Sequence, residues 1–154
     1  MIKVIAFDFG GVIYTYNHPI LMKDVADELN QSVGAVTDAW KVGIKRYERG
    51  KISENEWWTI FLRKLNLKHD KKRLHKIALD HFKPIKDSLK ILNNLKGKVI
   101  TGLISNQTSW IEDLEKKYKF KKLLTGYAIN LEIASPHFVR LAMTGCRRIH
   151  TPPH

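Results

Sequence analysis

Two short apolar runs, Ile2-Lys3-Val4-Ile5-Ala6-Phe7 near the start and Val99-Ile100-Thr101-Gly102-Leu103-Ile104 later, constrain this chain more than anything else in it. Each has the length and residue types of a buried strand, and each ends on a polar residue, Asp8 in one case and Ser105 in the other. Helical periodicity fills the chain between them and resumes after the second. Strands separated by helices pair in parallel, because a parallel connection needs a crossover and a helix is the usual one. With Leu123 to Ile129 as a third strand, the order reads strand, helical insert, helix, strand, helix, strand. The expected class is α/β: a parallel sheet with a helical lobe inserted after its first strand.

Residues 19–82 read as four helices. Ile20, Leu21, Val25 and Leu29 form one apolar stripe, and Val33, Val36, Trp40, Ile44 and Tyr47 form a second. Ser53 and Glu56 form a capping box that opens a third helix carrying Trp57, Trp58, Phe61 and Leu65. Leu74, Ile77, Ala78 and Phe82 mark the fourth. The tryptophans read as core rather than as a cofactor platform. Pro84 is expected to start the next helix and Gly97 to end it. Ser109 and Glu112 have the spacing of another capping box, opening the helix after Ser105.

The two strand ends carry the chemistry. In an open α/β sheet, ligands bind beyond the carboxyl ends of the strands. A carboxylate at that edge can attack phosphorus or carbon, or hold a cation. By itself Asp8 is equally a turn residue, with Gly10 and Gly11 supplying backbone freedom. Ser105, Asn106, Thr108 and Ser109 are likewise a helix cap when taken alone, or an anion cradle made with the first N–H groups of the next helix. Finding both at neighbouring strand ends favours the functional reading.

Charge and composition bound the alternatives. The 154 residues are 44% apolar and 27% charged, enough for one good core and a small lobe. The formal charge of +12 comes largely from lysines spread over helical surfaces, as in Lys68-His69-Asp70-Lys71-Lys72-Arg73 and Lys116-Lys117-Tyr118-Lys119. No aromatic-interleaved basic stripe or zinc-finger spacing accompanies them, so they read as solvated faces rather than a nucleic-acid site. No apolar run reaches the roughly 18 residues needed to cross a bilayer. Cys146 is the single cysteine, which suits a reducing cytoplasm.

As a set, these motifs resemble a known family. Phe7-Asp8-Phe9-Gly10-Gly11-Val12 is similar to the first motif of the haloacid dehalogenase-like (HAD) hydrolase superfamily, and Leu103-Ile104-Ser105-Asn106 to its second. Gly50-Lys51-Ile52-Ser53-Glu54-Asn55-Glu56-Trp57-Trp58 resembles a segment of that family's helical caps. The resemblance implies a Rossmann-like core formed by residues 1–16 and 83–154, with a helical cap over 17–82. It implies a phosphatase acting on a small phosphorylated metabolite, in which Asp8 is the nucleophile and forms an aspartyl-phosphate. Asp8 and the backbone carbonyl of Gly10 would hold Mg²⁺, and Ser105 and Asn106 would hold the phosphoryl group. A dehalogenase-type hydrolase and a non-catalytic anion binder are the alternatives.

The chain departs from the family pattern in two places. Gly10 stands where most phosphatase members have a second aspartate, the general acid. Near the end, Ser135 precedes Pro136 where the family has lysine, and no Asp or Glu follows Glu132 to complete a metal site. All twenty lysines fall at or before Lys122, and the ending Gly145-Cys146-Arg147-Arg148-Ile149-His150-Thr151-Pro152-Pro153-His154 has no strand or helix pattern. The C-terminal strands of the sheet are therefore expected to be missing, as in a truncated or frameshifted relative.

Overall fold

The computed structural model describes residues 4–105 and 108–129. Strand β1 (Val4–Phe7) is followed by helices α1 (His18–Leu29), α2 (Val33–Glu48), α3 (Glu54–Lys64) and α4 (Lys71–Asp80). Helix α5 (Lys86–Leu95), strand β2 (Ile100–Ser105), helix α6 (Trp110–Tyr118), a 3₁₀ turn (Phe120–Leu123) and strand β3 (Gly126–Ile129) complete it. The predicted element order holds. The sheet is parallel and ordered β1-β2-β3, with Phe7 opposite Leu103 and Ser105 opposite Ile129. Both crossovers run in the same direction, so right-handed connections put α5 and α6 on one face. Thr101, Leu103 and Ser105, at alternate positions of β2, are buried on that face. On β1 the alternate residue Ala6 is exposed.

The four-helix lobe leaves and rejoins the sheet through a paired neck. Thr15 N donates to Lys83 O at 2.8 Å, and Ile85 N donates to Ile13 O at 2.9 Å. Pro84 lies opposite Tyr14 in this pairing, and α5 begins two residues later, at Lys86. Pro84 thus serves the neck instead of starting the helix. It gives up no hydrogen bond there, because proline has no N–H to donate.

Within the lobe the apolar stripes pack as expected, with exceptions at Ile20 and Val33, which stay exposed while Met22 and Ala26 turn inward. The Ser53–Glu56 capping box forms at the start of α3. Helix α2 is broken at Val42 and Gly43, where Gly43 has φ +81°. A Cβ there would meet Ile60 and Trp57 at ordinary contact distance, so the left-handed backbone, not crowding, demands glycine.

Lobe and sheet share one continuous hydrophobic core. Trp110, the first residue of α6, is buried among Trp40, Tyr47, Trp57 and Trp58 of the lobe and Phe82 of its exit, with ring centroids 5.9–6.4 Å away. Below the neck, Phe9 stacks on Tyr14 at 4.8 Å and leans on Phe120 and Phe82. No helix among the described residues is long and apolar enough to cross a membrane.

Candidate functional site

Asp8 stands one residue beyond β1 and is exposed. Continuing the register from the Phe7–Leu103 pair puts Asp8 level with Ile104, one residue short of Ser105 at the end of β2. Neighbouring strands lie about 4.8 Å apart. Asp8 and Ser105 therefore share the carboxyl edge of the sheet, as the sequence predicts. Ser105 is buried there, at 6% exposure. Asn106, the other predicted anion ligand, lies outside the described residues, as do Glu132, Ser135 and Cys146.

The loop after Asp8 curls on a single carbonyl. Phe9 O accepts from Ile13 N and Tyr14 N, both at 3.0 Å, and Gly11 N donates to Tyr14 O at 2.7 Å. Phe9 N in turn donates to Asp8 Oδ1 at 2.6 Å, which fixes the carboxylate against its own turn. The two glycines do different things. Gly11 has φ +77°, a conformation that side chains resist, whereas Gly10 has no such constraint and nothing within 4 Å of where a Cβ would sit. Gly10 is therefore a position without a side chain by composition rather than by necessity.

The donors available for a cation are few. Asp8 offers a carboxylate and Gly10 a carbonyl, and among the described residues no group of three His, Cys, Asp or Glu could hold a metal. Magnesium is commonly bound through one or two carboxylates together with phosphate oxygens and waters. Among the described residues, this donor set fits a Mg²⁺ shared with a bound phosphate rather than an ion held by side chains alone.

Beside the strand ends lies a polar network that the sequence did not reveal. Ser109 does not form the expected capping box: it has helical backbone angles and no side-chain cap bond. Its hydroxyl instead meets Tyr47 Oη at 2.7 Å and donates to Glu54 Oε2 at 3.5 Å. Glu54 also accepts from Trp58 Nε1 at 2.9 Å and from His75 Nδ1 at 2.5 Å. Burial pushes the Glu54 carboxyl up, but hydrogen bonds, those from His75 and Trp58 among them, outweigh it and hold the group below the usual carboxylate range. Burial raises the Tyr47 hydroxyl to about 12 despite its bonds to Ser109 and Thr108, so it stays protonated. The break in α2 matters here, because Tyr47 lies beyond it, on the segment that reaches Ser109.

No family model matches the chain, and no curated protein matches it. Solved structures do. The HAD family enzyme BT-2542 from Bacteroides thetaiotaomicron, in complex with magnesium and inorganic phosphate, superimposes with a TM-score of 0.71 at 14% identity, covering 91% of this chain and 76% of that one. A predicted HAD-like hydrolase from Porphyromonas gingivalis gives a TM-score of 0.71 at 16% identity, covering 96% and 78%. The L-2-haloacid dehalogenase from Xanthobacter autotrophicus, with chloropropionic acid covalently bound, gives 0.53 at 15% identity over 84% and 57%. With its parallel sheet, its helical lobe after β1 and its aspartate at the end of that strand, the chain has the fold of the HAD enzymes.

Proposed function

We propose that this chain is a HAD-type hydrolase directed at small phosphorylated molecules. The observation that carries the reading is the placement of Asp8 and Ser105 on adjacent parallel strands at one sheet edge. Asp8 attacks phosphorus through a carboxylate oxygen, the P–O bond to the substrate alcohol breaks, and water then hydrolyses the acyl phosphate to regenerate Asp8. Ser105 and Asn106 orient the phosphoryl oxygens. Residues 17–82 act as a cap, anchored at the neck, that shields the edge from water. Mg²⁺ bound by Asp8, the Gly10 carbonyl and the phosphate would offset negative charge during transfer. Because Gly10 carries no acid, the leaving alcohol takes its proton from solvent, and good leaving groups are favoured.

Hydrolysis of an aryl phosphate with Mg²⁺ present tests this. Turnover abolished in Asp8→Asn is the expected result, and turnover unchanged in that variant refutes the assignment. The departures from the family pattern, Ser135 in the place of a lysine and no carboxylate after Glu132, support a second reading, a non-catalytic relative that binds phosphate without turning it over. Measurable phosphate affinity, weakened in Ser105→Ala and accompanied by no hydrolysis, would decide for it.

A further inference from the structure

Ser109, which immediately precedes α6, and Asp113 and Lys117 within it follow one another at four-residue spacing, and each meets a residue of the lobe. Ser109 is bonded to Tyr47 at 2.7 Å, and Asp113 Oδ2 pairs with His75 Nε2 at 3.4 Å. Lys117 Nζ meets Asp80 Oδ1 at 3.2 Å. Spacing of four residues puts all three on one face of the helix. We propose that His75 is a positioning residue: charged, it bridges Glu54 of the lobe to Asp113 of α6 and holds the lobe against the helix that follows the Asp8–Ser105 edge.

The chemistry of imidazole makes this rung conditional. The charged ring has two N–H donors and here faces two carboxylates, one at each nitrogen. The neutral ring has one donor, so loss of the proton must leave either Glu54 or Asp113 without its bond. The groups facing His75 are Glu54 from α3 and, from α6, Asp113 and the Trp110 ring at 6.1 Å. Lys116 competes for Asp113 through Oδ1 at 2.8 Å, while the nearby Lys71 of α4 is tied to Asn55 and Thr59. The Glu54 bond raises the His75 pKa above its ordinary value, against burial, with Asp113 adding to the rise. A pKa raised by folding stabilises the bridge fully below the unfolded value of about 6.5 and loses that stabilisation as pH rises through the folded value. Tyr47 and Lys117, both raised above already high values, keep their protons through this change, so His75 is the rung that rising pH releases.

The test needs no turnover, so it stands or falls apart from the phosphatase reading. Imidazole NMR titration of the full chain gives the His75 midpoint. Amide hydrogen exchange, expressed as protection factors, follows the segment around Tyr47 and the first turn of α6 across the same pH range. Expected is a midpoint above 6.5, with protection falling about fivefold or more through it, the scale of one partly exposed charge-assisted bond. His75→Gln should remove the pH dependence. If that variant fails to fold, Asp113→Asn, on the half-exposed outer side, should still lower the midpoint and shrink the drop. A wild-type midpoint near 6.5, protection constant across the titration, or a midpoint unmoved by Asp113→Asn would each overturn the proposal.

Discussion

Gly10→Asp is the substitution that interrogates the candidate site most directly. Among the described residues nothing lies within 4 Å of a Cβ at Gly10, and its backbone is outside the left-handed region. The side chain should enter open space, and replacing glycine at a compatible backbone costs little or stabilises by about 0.4–1 kcal/mol through the unfolded state. Gly11→Ala, one residue on at φ +77°, should instead cost about 1–2 kcal/mol. If position 10 faces the leaving oxygen, the new carboxyl can protonate it. A positioned general acid contributes about 10²–10⁴ in rate, or roughly 3–5 kcal/mol off the barrier. The gain should be large for an alkyl phosphate, whose alkoxide needs the proton, and small for an aryl phosphate. Initial rates on the two substrates with Mg²⁺, beside urea midpoints for both variants, measure each part. A Gly10→Asp protein that folds as well as the wild type but leaves the alkyl-to-aryl rate ratio unchanged would refute the placement of Gly10 beside the leaving group.

Other parts of the fold answer to simpler perturbations. Trp110→Ala removes a ring packed against four lobe aromatics and Phe82, and should lower stability by about 3–5 kcal/mol in a urea melt. A loss under about 1 kcal/mol would mean that lobe and sheet do not share the core described. Ser53→Ala deletes the working capping box and should cost about 1 kcal/mol by the same measurement. Glu112→Gln should cost about 1 kcal/mol or less, since Glu112 is itself half-exposed where it pairs with the better-buried Lys121, and its side chain does not cap α6. A larger loss would restore the capping-box role that its spacing suggests.

The features legible in the sequence are those set by local pattern. Short continuous apolar runs give way to apolar residues spaced three or four apart, which marks the alternation of strand and helix, and Asp8 follows a strand because four apolar residues, Val4 to Phe7, run straight into it. The Ser53–Glu56 box forms because both partners lie in one turn, each side chain within reach of the other's backbone N–H. The same spacing at Ser109 and Glu112 fails because Tyr47, far away in sequence, takes the Ser109 hydroxyl. The break in α2 at Gly43 escaped the pattern as well, since Trp40, Ile44 and Tyr47 keep helical spacing across a turn that is not helical. Glu54 and His75 gave no signal at all. Each is an ordinary polar residue on its own helix, and only the packing of α3, α4 and α6 brings them together.

That packing gives α6 two duties that cannot be independent. Its N-terminal turn follows Ser105 by a few residues, where the proposed phosphate would bind, and its outer face carries the three rungs that hold the lobe. An anion that favours one position of α6 must alter the free energy of the rungs, and reciprocity requires the rungs to alter anion affinity by the same factor. Trp110 makes the helix a stiff intermediary, because a ring buried among five others has few alternative places to sit. The Ser109 hydroxyl is drawn away from capping its own helix, and Ile111 N and Glu112 N donate instead to the Thr108 and Ser109 carbonyls, at 3.2 and 3.0 Å. Committing Ser109 to Tyr47 thus ties the lobe to the start of α6, and the helix closes its first turn on backbone carbonyls instead of a side-chain cap.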